Sequence, residues 1–93
     1  MNDDVNKSEY IDKMAENLVV LRTKLGLKQS ELANKIGVSR QTLLDIEKRK
    51  RPMAWSSFVA LLTVFRENDG TRSLLDHFCI YSAELQKFLT SPE

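Results

Sequence analysis

The chain of 93 residues contains one cysteine, Cys79, and one histidine, His77. A single thiol cannot close an intramolecular disulfide, and this pair alone offers no ligand set with zinc spacing. Such sparse cysteine usage fits a reducing, cytosolic setting. No apolar stretch approaches the roughly 18 residues expected of a membrane span. The opening Met1-Asn2-Asp3-Asp4 lacks the basic start and apolar run of a signal peptide, so an intracellular, soluble, cytoplasmic protein is expected. Internal repeats, low-complexity tracts and sustained apolar/polar alternation are also missing, which argues against strands. Groupings that could support catalysis are equally scarce. His77 and Cys79 stand two apart on an expected helix and do not share a face, while Ser56-Ser57 has no base to activate it. The expectation is no enzyme, no metal and no cofactor.

What is present is the composition of an ordinary globular domain, 42% hydrophobic and 29% charged. The length suits one domain, and no separate effector-binding domain is expected. A core this small often leans on a partner subunit, so dimerisation is a reasonable expectation. The net charge of +1 conceals an uneven distribution. Residues 1–16 sum to −3, residues 17–51 to +6 and residues 52–93 to −2. A basic middle between acidic ends suits a nucleic-acid-binding face, although a solvated basic helical surface would show the same pattern.

The apolar periodicity is helical throughout. A first helix is expected from Ser8, as N-cap, to Leu25, with Ile11, Met14, Leu18 and Leu21 on one face and Gly26 as its stop. A second covers about Gln29 to Ile36 and ends at Gly37. The third starts at Ser39 as N-cap and runs to about Glu47, burying Leu43 and Ile46. Beyond Pro52 a fourth carries Trp55, Phe58, Leu61, Leu62 and Phe65. Asp69-Gly70 reads as a turn, followed by one or two helices from about Thr71 to Leu89.

The informative stretch is Gln29 to Glu47, two short helices joined by Gly37-Val38-Ser39. So tight a turn needs a small residue at the crossing, Ala33, and a residue free to take positive φ, Gly37. Val38, Leu43 and Ile46 make an apolar underside, leaving Arg40, Gln41, Leu44 and Asp45 opposite.

In this register the sequence resembles the Cro and Xre helix-turn-helix regulators, with their lambda-repressor-like fold. The resemblance rests on Gln29-x3-Ala33-x3-Gly37-x5-Leu43-x2-Ile46-Glu47, on Gly37-Val38-Ser39-Arg40-Gln41-Thr42, and on Leu21-Arg22-x3-Leu25-Gly26-Leu27. It implies an all-α fold, a compact five-helix domain with a C-terminal helical extension. The corresponding division is a disordered tail over 1–7, a DNA-binding domain over 8–78 with its motif at 29–47, and an extension over 79–93. The resemblance further implies that the third helix enters the major groove of double-stranded DNA, with Arg40, Gln41, Leu44 and Asp45 facing base edges. Arg40 would suit guanine, Gln41 adenine, Leu44 a thymine methyl and Asp45 the amine of cytosine. Gln29, Ser39 and Thr42 would face phosphates, and Arg22 and Glu47 would form a structural ion pair.

Three positions depart from the family pattern. Lys28 stands where relatives place a capping Thr, Ser or Asn, with a phosphate contact as one compensation. Lys48-Arg49-Lys50-Arg51 replaces the usual Asn-Gly and adds four candidate phosphate contacts. Asp45 replaces a basic or amide residue; it either meets cytosine or turns toward Arg40 or Arg49. Further along, Leu74, Phe78, Tyr81, Leu85 and Phe88 step by four and three, as in a heptad seam. This stripe either covers the chain's own core or, from Tyr81 through Leu85, Phe88 and Leu89, joins two copies. The expected function is a sequence-specific regulator, a repressor on a palindromic operator as a homodimer. The alternatives are an antitoxin-like DNA-binding protein that also holds a protein partner, and an interaction module without DNA binding.

Overall fold

A computed structural model describes residues 5–92. It consists of six helices, α1 (Lys7–Lys24), α2 (Gln29–Ile36), α3 (Arg40–Glu47), α4 (Trp55–Arg66), α5 (Asp69–His77) and α6 (Ala83–Thr90), with no strand among the described residues. No helix among them is long and apolar enough to cross a membrane.

Helix α1 begins before the expected Ser8 cap. Asn6 is the N-cap, its Oδ1 accepting from the Glu9 backbone N–H at 3.1 Å and from the Ser8 hydroxyl at 2.9 Å. Val5 and Tyr10, one on each side of this cap, are both buried, as in a hydrophobic staple. Residues 5–7 therefore belong to the folded unit and not to a disordered tail; residues 1–4 lie outside the described residues. At the other end Gly26 takes φ +70°, and the Leu27 N–H closes on the Arg22 carbonyl at 3.3 Å.

Helices α1 and α4 carry the centre of the core. Met14, Leu18 and Leu21 from α1 and Phe58, Leu61 and Phe65 from α4 are fully buried, together with Leu32 of α2, Leu43 of α3 and Leu75 of α5. α1 packs on α3, α4 and α5, and α2 packs on α3 and α4. Asp69 and Gly70, expected as a turn, are instead the first residues of α5. The buried Thr71 hydroxyl donates to the Phe65 carbonyl at 2.6 Å, which ties the start of α5 to the end of α4.

The expected dimer seam is used within the chain. Leu85 is fully buried, as is Ile80 ahead of it, so residues 79–93 hold part of the core of the domain assigned to 8–78. Phe88 packs edge-on to Trp55 with ring centres 6.4 Å apart, and Tyr81 lies under the Arg66 guanidinium at 4.3 Å. Leu89, at 36% exposure, is the seam residue left at the surface. A heptad spacing identifies a shared face; here that face meets Trp55 and Arg66 of α4, while Tyr10 of α1 holds Ser82 and Glu84 beside it.

Candidate nucleic-acid interface

Helices α2 and α3 meet as their sequences require. Gly37 has φ +78°, and the Val38 N–H returns to the Ala33 carbonyl at 3.0 Å, closing α2. Ala33 is buried at the crossing. Ser39 caps α3, its hydroxyl oxygen accepting from the Thr42 N–H at 3.0 Å. With Leu43 and Ile46 facing inward, Arg40 and Gln41 are exposed and Leu44 and Asp45 half-buried on the outer side. The first turn of α3 thus offers polar side chains beside the positive end of the helix dipole.

The pair is locked to α1 by a polar cluster. Arg22 Nε donates to Glu47 Oε2 at 2.6 Å, and Arg22 Nη1 donates to the Leu27 carbonyl at 3.0 Å. Gln29 Nε2 donates to Glu47 Oε1 at 3.0 Å. Arg22 Nη2 donates to Glu47 Oε1 as well, at 3.3 Å. The Glu47 side chain is only 3% exposed, so Arg22 Nε, Arg22 Nη2 and Gln29 Nε2 together compensate a carboxylate that water cannot reach. Gln29, expected at a phosphate, commits one amide hydrogen to this cluster and has a second remaining.

The three departures from the pattern are resolved by geometry. Lysine has no acceptor, so Lys28 cannot cap α2 with its side chain; instead Glu31 reaches back and accepts from the Lys28 N–H at 2.7 Å. At the exit of α3, Arg49 takes the left-handed conformation, φ +60°, where glycine is usual, and the Lys50 N–H reaches the Asp45 carbonyl at 2.8 Å. Asp45 turns to neither Arg40 nor Arg49: its Oδ1 accepts from Gln41 Nε2 at 2.9 Å.

The basic run after α3 divides by direction. Arg49 pairs with Asp12 of α1, which draws its guanidinium from the outer side of α3. Arg51 Nη1 stands 3.5 Å from Thr42 Oγ1, beside the Ser39 hydroxyl that donates to the same oxygen at 2.8 Å. Lys48 and Lys50 are exposed. Ser39, Thr42 and Arg51 are therefore gathered at one place, with Arg40 and Gln41 on the same first turn of α3. Asp12 on Arg49 and Glu31 on Lys28 escaped the reading of the sequence. The Glu31 cap stood three residues from its partner and was open to detection, whereas Asp12 is remote in the chain.

Residues 20–54, from the second half of α1 to the threshold of α4, match the helix-turn-helix family model. These residues form a Cro/Xre-type helix-turn-helix DNA-binding domain. No curated protein and no solved structure matches the chain. Such a domain supports a DNA-binding transcription regulator in general, and its family is not one of enzymes.

Proposed function

We propose that this helix-turn-helix protein reads a specific DNA sequence by laying α3 in the major groove, and that two copies occupy a two-fold symmetric operator and repress by occlusion. The reading is carried by the outer side of α3. Arg40 and Gln41 stand exposed above a fully apolar underside, next to a cluster of Ser39, Thr42 and Arg51 suited to a phosphate. Arg40 has the fork for guanine O6/N7, and Leu44 is an apolar neighbour for a thymine methyl. Lys48, Lys50 and Arg51 add affinity that does not depend on sequence. Helix α3 has eight residues and presents few readers, so one copy addresses only a short site. Two copies on half-sites about one DNA turn apart would double the sequence read. Occlusion asks nothing of the protein beyond occupancy.

A binding selection from random duplexes, run with wild type and Arg40→Ala at near-physiological salt, tests this. The expected result is a symmetric site that the variant binds about 1–3 kcal/mol more weakly, with binding to random DNA unchanged. Equal losses on both would remove Arg40 as a base reader, and a single asymmetric half-site would remove the paired arrangement. A second reading, an antitoxin-like protein that also holds a protein partner, draws on Val19 and Val20, adjacent on α1 and about half exposed. It requires a second polypeptide that co-purifies with wild type and is lost from a Val19→Ser, Val20→Ser double variant.

A further inference from the structure

The side-chain bond between Gln41 and Asp45 bears on which base the protein distinguishes. Both residues lie on the outer side of α3, one turn apart, with Gln41 Nε2 donating to Asp45 Oδ1 at 2.9 Å. A carboxylate only accepts, so the amide can meet it in one orientation: nitrogen toward Asp45, oxygen away. The opposite flip would set two acceptors against each other. A free glutamine amide has two N–H donors and one carbonyl acceptor; once a donor is committed to Asp45, one donor and the carbonyl oxygen are left. Adenine presents an acceptor, N7, beside a donor, N6, in the major groove, and so matches what is left. Guanine presents two acceptors, N7 and O6, for which a second donor is missing.

We infer that Asp45 is a positioning residue that reads no base itself and fixes the Gln41 amide so that it selects adenine over guanine. This rests on the proposed placement of α3 in the major groove. The arrangement also accounts for a carboxylate on a face turned to DNA: its charge is engaged by an amide that itself touches the base. A merely structural pair, bonded across one turn of helix, would support α3 without influencing which purine is preferred.

The test is a selection from random duplexes at one salt concentration with wild type, Gln41→Ala, Asp45→Ala and Asp45→Asn, followed by titration of the enriched site and of its single adenine-to-guanine version. The expected wild-type preference is on the order of 10- to 100-fold for adenine at the base pair whose readout Gln41→Ala abolishes. Asp45→Ala should select the same site elsewhere but bring that ratio toward parity. Asp45→Asn, of the same shape but able to donate as well as accept, tolerates either amide orientation and should relax the ratio too. Retention of the full preference by both Asp45 variants overturns the inference while leaving base reading by α3 intact. A change confined to a different base pair, with cytosine lost there, overturns it by making Asp45 a direct reader. If wild type enriches no sequence, the placement of α3 falls, and the role of Asp45 with it.

Discussion

Two helices of the molecule are built from the same parts and used in opposite ways. Helices α3 and α6 each have eight residues, and each follows a serine whose hydroxyl oxygen accepts from the third residue's N–H, at 3.0 Å from Thr42 and 3.1 Å from Leu85. Their first turns differ. α3 opens with Arg40 and Gln41, exposed, and leaves through a basic run; α6 opens with Ala83 and Glu84, and the Glu84 carboxylate accepts from the Tyr10 hydroxyl at 3.0 Å. Capping and length make a helix, but charge in the first turn and the face given to the core decide whether it is available to DNA. α6 combines a carboxylate at its N-terminus with a buried leucine and serves as a cover.

The attachment of α3 is the feature whose loss should cost most. Removing the Glu47 carboxylate would leave Arg22 and Gln29 without their shared acceptor in a place shielded from water. Glu47→Ala should lower the free energy of unfolding by about 3–5 kcal/mol in chemical denaturation. A change near zero would mean that α3 is held by Leu43 and Ile46 alone. On the other side of the comparison, Leu85→Ala should cost about 2–5 kcal/mol as a cavity in the core, with a midpoint independent of protein concentration. A midpoint that shifts with concentration would restore the seam as a contact between copies.

The same contrast explains what could be read in advance. α2 and α3 were legible to the residue because their signals are local: Gly37 must end one helix and Ser39 must begin the next. The start of α1 was misplaced because Asn6 and Ser8 are both good caps, and only the burial of Val5 and Tyr10 favours the earlier one. Gly70 suggested a turn, yet glycine costs little in a helix's first turn when Thr71 anchors the segment to Phe65. The face containing Tyr81, Leu85 and Phe88 was visible from its spacing. What covers it was not, since spacing carries no information on where α1 and α4 will lie. In the candidate site the outer residues of α3 were identifiable, whereas the partner of Arg49 was not, because an acidic residue on α1 gives no local sign of it.

Helices α3 and α5 end alike. Both exit through a residue other than glycine in the left-handed region, Arg49 and Cys79, each with φ +60°. In each the following N–H closes on a carbonyl five residues back, Lys50 on Asp45 at 2.8 Å and Ile80 on Leu75 at 2.8 Å. Cys79 is exposed, so Cys79→Gly should relieve the strain with nothing lost and raise stability by about 1 kcal/mol. Arg49→Gly relieves the same strain but gives up the pair with Asp12, so its gain should be smaller. Equal gains, measured as unfolding midpoints, would show that the Asp12 contact contributes nothing to the fold.

The smallest effect expected is at the latch of α6. The Tyr10 hydroxyl lies between Ser82 and Glu84, and its pKa is raised above the ordinary value of 10.0. Burial raises it most, the hydrogen bond with Ser82 pulls it partly back, and Glu84 raises it further by accepting a hydrogen bond from the phenol and by its charge. The folded chain therefore holds the phenolic proton more tightly than the unfolded chain does. The stabilisation from this difference is complete below pH 10 and is lost as pH rises through the higher folded-state value. Urea midpoints followed from neutral into alkaline pH should fall more steeply above pH 10 for wild type than for Tyr10→Phe, which has no proton to lose there. α3 has no tyrosine in its attachment, so variants of the Arg22 and Glu47 cluster should leave this alkaline limb unchanged. Parallel curves for wild type and Tyr10→Phe would mean that the phenol titrates alike in both states.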